Sequence, residues 1–265
     1  MKERGNNVKE KKPEEMTLEE KLDEIERLPN MAEAKAEIAN LFAAYQYSHS
    51  VILEDETPDR LYAQHQPDVR HDWGGGVLEG LDELCRYYVN RPRYRGKLIC
   101  HAIGNPVIEV AEDGQTAKGF WIAIGHETIP YPKAPTLEGD GDPFGPRTEP
   151  PDKRGIRKII HWVWNKYGVD FIREDGQGRI WHLRTCELMR APYHQDWVDF
   201  SLRNLIDNDM CGLHTPWQGV ASTPLNAMPT RPSDDPRGGY RIDEPPLELP
   251  RLPEPYRTFS ETFAY

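Results

Sequence analysis

The sequence has no excess of positive charge to offer a phosphate backbone. Asp and Glu outnumber Lys and Arg by 44 to 33, a formal net charge of −11 over 265 residues. No run of basic residues interleaved with aromatics offsets that balance, so nucleic acid is not an expected partner. Long apolar runs are missing too. The longest, from Phe120 to Ile124, is far shorter than the ~20 residues of a membrane span. No charged-then-apolar leader opens the chain, so the expectation is a cytoplasmic protein with no membrane partner. The four cysteines, Cys85, Cys100, Cys186 and Cys211, contain no CxxC pair, and free thiols are expected. No GxxxxGK(S/T), no GxGxxG between strand and helix, no GxSxG elbow and no HExxH occurs. Gly74, Gly75 and Gly76 precede Val-Leu-Glu, which reads as a turn or bulge. The histidines are scattered singly without metal-ligand spacing. No motif calls for a metal or a cofactor.

Proline, by contrast, is abundant. Seven of the 24 fall between Pro130 and Pro151, and ten between Pro216 and Pro255. Neither stretch can be regular helix or central strand. The core must therefore come from residues 30–130 and 155–200. Three parts follow: a disordered stretch to residue 16 with a short helical arm to residue 30, a main domain at 31–198 with a Pro-rich insert at 130–154, and a Pro-rich arm at 199–265. That last arm carries Trp217, Tyr240, Tyr256, Phe259, Phe263 and Tyr265, more aromatics than a solvated linker uses. It either lies along its own domain, or wraps a neighbouring subunit or lids a cavity.

Thr17 and Glu20 have capping-box spacing, with Leu18, Leu22, Ile25 and Leu28 following at helical intervals. A first long helix is expected at 31–53, a second from Thr57-Pro58 to Gln64 with Thr57 as N-cap, and a third at 81–88. From residue 98 the chain turns β-branched and aromatic, with strands expected at 98–101, 106–112, 117–129, 156–174 and 179–189. Helices followed by antiparallel strands indicate an α+β fold with the helices packed on one curved sheet.

Several polar groups lie on elements otherwise built for a core. Tyr45 and His49 are four residues apart on one helix face, with Tyr47 and Ser50 nearby. His101, Ile103 and Asn105 share a face of the strand beginning at residue 98, and Ala117, Gly119, Trp121, Ala123 and Gly125 share a face of the next. Small residues flanking one tryptophan would make room beside it, as a pocket wall does. The alternation Ile180, His182, Arg184, Cys186, Leu188, Arg190 places three basic groups on one side of the last strand. Each has an ordinary alternative: a satisfied structural histidine, a packed aromatic, a surface ion pair. Spacing alone does not make an active site.

The strings AEAKAEIANLFAAYQYSHSV, DRLYAQHQPDVRHDW, GLDELCRYY, ICHAIGNPVIEVAEDGQTAKGFWIAI and YGVDFIREDGQGRIWHLRTCELMR, in this order, resemble the SnoaL-like polyketide-cyclase group of the nuclear transport factor 2-like superfamily. They are similar in particular to bile-acid 7α-dehydratases and, more distantly, scytalone dehydratases. The resemblance covers residues 31–198 apart from the insert. It implies a cone: a strongly bent mixed or antiparallel sheet wrapped around three N-terminal helices, with a deep apolar pocket at one end. It also implies that Tyr45 matches a helix-1 tyrosine and His101 a strand histidine that act on substrate. The family aspartate has no match, Ser50 standing in its place, and His49 is the candidate to take over part of its role. Cofactor-independent lyases that release formaldehyde from lignin-derived diaryl-propanediols also resemble this group.

The resemblance thus implies a cofactor-free lyase for a hydroxylated aromatic or polycyclic small molecule. His101 would be the general acid/base, Tyr45 and His49 its catalytic partners, and Tyr47, Asn105, Trp121, Asn165, His182 and Arg190 the substrate contacts. A homo-oligomer, dimer or trimer, is expected from the family. The competing class is a non-catalytic ligand-binding or assembly module of the same fold, favoured if Phe120 or Trp121 fills the pocket. A dioxygenase β-subunit-like protein would instead co-purify with a large iron–sulfur partner.

Overall fold

The Thr17–Glu20 capping box forms as its spacing predicts. The Glu20 N–H donates to Thr17 Oγ at 3.1 Å and the Thr17 N–H to the Glu20 carboxylate at 2.8 Å, satisfying two donors that a helix start leaves open. The helix it opens, α1, does not stop at residue 30. It runs from Leu18 to Val51 through Pro29, so the predicted arm and first helix are one element. The computed structural model describes residues 12–51, 53–72, 76–89, 98–132, 156–193, 196–198, 230–233, 240, 242–243, 245 and 248–265. The Gly74 turn, most of the Pro-rich insert, Cys211 and residues 199–229 lie outside that set, as do residues 1–11 of the stretch expected to be disordered. Its end carries a 3-10 turn at Pro13–Glu15.

A 3-10 turn at Glu54–Glu56 leads into α2, Thr57–Leu61, and α3 spans Leu81–Val89. Thr57 is not the cap of α2: Glu56 holds that position, and the buried Thr57 is already helical. Seven strands form one mixed sheet: β1 Arg70–Asp72, β2 Val77–Glu79, β3 Leu98–Ile103, β4 Val107–Val110, β5 Thr116–Pro132, β6 Ile156–Glu174 and β7 Gln177–Pro192. Their order is β2-β1-β7-β6-β5-β3, with β4 also on β5. All neighbours are antiparallel except β1 and β7. Register shifts in the β6–β7 pairing at Trp164/Asn165 and Asp170/Phe171 are the bulges that let such long strands curl. This is the nuclear transport factor 2-like α+β fold.

The concave face closes on the helices. Ile38, Phe42 and Tyr45 of α1 pack with Leu61, Tyr62, Leu84, Tyr88, Trp121, Tyr167, Val169, Phe171, Ile180 and Leu183. On the opposite face the described end of the C-terminal segment lies along its own domain. The Tyr256 hydroxyl is 3.1 Å from Thr116 Oγ, and the Tyr265 N–H donates to Asp170 at 2.8 Å. Gly168 makes room for this strap, since a Cβ there would stand 2.4 Å from the Tyr265 ring. Among the described residues Cys85, Cys100 and Cys186 are free thiols, of which only Cys186 is fully buried. No helix among them is long and apolar enough to cross a membrane.

Candidate active site

Strand alternation on β5 puts Ala117, Trp121, Ala123, Gly125 and Glu127 on the concave face, and β3 pairs with it so that His101 stands opposite Gly125. The glycine is needed there. A Cβ on Gly125 would lie 2.4 Å from the His101 ring and 2.5 Å from the Cys100 carbonyl oxygen. His101 Nε2 is 3.2 Å from Glu127 Oε1. A carboxylate only accepts, so Nε2 carries the proton and the lone pair is left on Nδ1. Nδ1 is 3.4 Å from the Tyr167 hydroxyl, which in turn accepts from Asn165 Nδ2 at 3.2 Å. Asn165, Tyr167, His101 and Glu127 thus form one directed chain of donors ending on a carboxylate.

A second imidazole faces the first. His49, in the last turn of α1, is 2.7 Å through Nδ1 from Glu54 Oε1 in the turn that follows the helix. Both groups are buried. That bond fixes the tautomer with the lone pair on Nε2. The His49 and His101 ring centroids are 6.2 Å apart, and the Tyr45 ring lies edge-on to His49 at 4.8 Å.

Beside this pair is a cluster of phenols. The Tyr88 hydroxyl is 3.2 Å from that of Tyr45, 3.1 Å from that of Tyr62 and 3.2 Å from His71 Nδ1, while His71 Nε2 is 3.2 Å from Thr185 Oγ. Burial first, and then the neighbouring phenols, pushes Tyr45, Tyr62 and Tyr88 well above the ordinary value of 10. They are therefore proton-bearing donors at any working pH. The native state keeps protons that the unfolded chain gives up above pH 10. Their contribution to stability is full below that pH and is lost as pH rises toward the folded values, at about 1.4 kcal/mol per pH unit for each phenol. The denaturant midpoint is expected to fall steeply above pH 10, and less steeply in Tyr45→Phe. A midpoint flat across that range would contradict the raised values.

A family profile, the SnoaL-like domain, matches residues 30–184. The chain belongs to the SnoaL-like family. Among solved structures this SnoaL-like protein is similar to a scytalone dehydratase-like protein from Novosphingobium aromaticivorans, with 14% identity over 63% of this chain and 95% of that one, at a TM-score of 0.43. It is likewise similar to a hexachlorocyclohexane dehydrochlorinase, LinA-type3, from Novosphingobium barchaimii, with 14% identity over 62% and 93% and a TM-score of 0.43. No curated protein matches the sequence.

Of the residues picked out by sequence, His101, Tyr45, His49, Asn165 and Trp121 come together on the concave side. Trp121 is not a wall with space beside it. Its ring lies over Gly119, where a Cβ would be 2.2 Å away, and packs on Phe42 at 4.2 Å and on Phe171. It belongs to the apolar core on the Gly119 side of β5, away from Gly125 and His101. Tyr47 is 66% exposed, because two residues from Tyr45 is more than half a helical turn. Asn105 is exposed beyond the end of β3. His182 is on the other face, bonded through Nδ1 to Asp170 at 2.8 Å and near the Phe259 ring of the strap. The bulge at Asp170/Phe171 breaks the alternation that had grouped it with Ile180. Arg190 pairs in register with Val163, and its side chain lies outside the described set.

Sequence reading missed Glu54, Glu127, Tyr167, Tyr62, Tyr88 and His71. Glu127 was within reach, being the next member of the 117-to-125 alternation. Among the described residues no three His, Cys, Asp or Glu side chains group as metal ligands.

Proposed function

We propose that this SnoaL-like protein is a cofactor-independent lyase that eliminates water, formaldehyde or both from a hydroxylated aromatic or polycyclic small molecule. The observation that carries this reading is the pair of facing imidazoles, His49 and His101, each backed by a buried carboxylate. An elimination needs one group to take a proton and another to give one to the departing hydroxyl. A neutral imidazole with its lone pair toward the site takes the proton, and the imidazolium so formed gives one back; His101 and His49, their tautomers fixed by Glu127 and Glu54, place two such groups within one site.

His101 Nδ1 takes the substrate proton by way of the Tyr167 hydroxyl that donates to it, and the Glu127 carboxylate stabilises the imidazolium that results. His49, or Tyr45 beside it, holds the departing oxygen, which takes the proton from the imidazolium and leaves as water. Loss of a benzylic hydroxyl generates a quinone-methide or enone. Where a neighbouring carbinol is then deprotonated, its C–C bond breaks, formaldehyde leaves, and the electron pair fills that sink. A lignin-derived diaryl-propanediol has this arrangement of groups.

The test is a panel of hydroxylated aromatic and steroid-like compounds incubated with the purified protein, scored separately for water loss and for formaldehyde. The expected result is turnover of a compound carrying a hydroxyl next to an aromatic ring or carbonyl. Tight binding of such compounds with neither product formed would contradict the reading and favour a ligand-binding module.

A further inference from the structure

The N-terminal half of α1 projects with its apolar side uncovered. Leu18, Leu22, Ile25 and Leu28 are 75%, 54%, 65% and 53% exposed, whereas Ile38, Phe42 and Tyr45 farther along the same helix are buried in the core. Four large aliphatics in one stripe on an otherwise charged helix mark an interaction surface. Leu18, Leu22 and Ile25 are spaced four and then three, the seam spacing of a two-stranded coiled coil, and Leu28 flanks that seam. The arm is a continuation of α1, so the entropy of starting a helix is already met inside the domain.

We propose that this arm pairs in parallel with the same arm of a second copy of the chain. The charges beside the seam choose that occupant and that direction. With Leu18 and Ile25 at d and Leu22 at a, Lys21 is at g and Glu26 at the following e. In a parallel pair g meets the e position five residues on, so Lys21 of each copy faces the partner's Glu26. An antiparallel pair would instead set Glu19 against the partner's Glu26, like against like. Pro29 lacks the N–H that would bond back to the preceding turn, and it stands with Asn30 where the arm meets the body. It is a place for the two helices to bend apart around their domains. The seam is short, well under a standard interface of roughly 1,600 Å², so the dimer is weak and one seam residue decides it.

Sedimentation velocity of the full chain over a dilution series tests this. Wild type is expected to move from monomer to dimer with concentration, and Ile25→Glu to remain monomeric with an unchanged melting temperature, since Ile25 is exposed. Lys21→Glu is expected to weaken the dimer about tenfold, and adding Glu26→Lys to bring it back to within about threefold of wild type. Four results would each overturn the proposal: a wild type monomeric throughout, a dimer that survives Ile25→Glu, an assembly larger than a dimer, or a charge swap that restores nothing.

Discussion

Replacing His101 by Ala is expected to lower turnover by about 10²–10⁴-fold, the usual contribution of a positioned acid/base. The fold should survive, because His101 stands beside Gly125 at the polar end of the concave face, above the Phe42–Trp121–Phe171 packing rather than within it. The loss is expected in the rate of the chemical step more than in binding, and it should persist at saturating substrate. Glu127→Gln keeps the shape but removes the carboxylate that fixes the Nε2–H tautomer and steadies the imidazolium. An amide can present either its oxygen or its NH2 to the ring, so part of the His101 population is turned to the wrong tautomer. A smaller loss than that of His101→Ala follows. If His101→Ala turned over substrate at close to the wild-type rate, His101 would be a structural histidine.

Asp170→Ala is expected to destabilise the protein by about 3–5 kcal/mol, seen as a lower urea midpoint. Asp170 and Lys118 are wholly buried, and the ammonium is 2.5 Å from the carboxylate. The other carboxylate oxygen accepts from His182 Nδ1 and from the Tyr265 N–H, both at 2.8 Å. Lys118 also donates to the Phe263 carbonyl and lies 4.5 Å from the Phe263 ring and 4.7 Å from that of Phe259. Burial already draws Lys118 below its usual value despite the pull of Asp170. Without Asp170 the amine either stays charged among rings or gives up its proton, and both are unfavourable. Lys118→Met should cost less, because Asp170 keeps His182 and the Tyr265 N–H. The same change loosens the strap at Tyr265. An Asp170→Ala protein within about 1 kcal/mol of wild type would mean that the network does not hold the strap down.

Strand patterning made most of the sheet legible, since β5, β6 and β7 are long alternations of β-branched and aromatic residues bounded by Asp-Gly turns. The bulges were not legible. One extra residue near Trp181 turns His182 outward while Ile180 and Leu183 stay in the core, and nothing in the local composition marks it. Pro29 read as a break because helix interiors rarely accept proline, yet α1 continues through it where the helix is solvent-exposed. In the site, His101, His49 and Tyr45 could be named because helical and strand spacing fix their faces. Their carboxylate partners come from elsewhere, Glu54 past the end of α1 and Glu127 near the far end of β5, so only the folded geometry joins them. Gly119 and Gly125 flank Trp121 as expected, but glycine spacing cannot tell a wall beside an open pocket from a seat for the protein's own rings.

The central claim is that the imidazoles of His49 and His101 work as one acid–base unit. It is tested most directly by turnover of His49→Ala, His101→Ala and the double variant on one substrate from the panel. The account predicts a large loss in each single variant and a double loss little greater than the worse single, as for groups that act together. Near-wild-type turnover in either single variant, or losses that simply multiply, would contradict it.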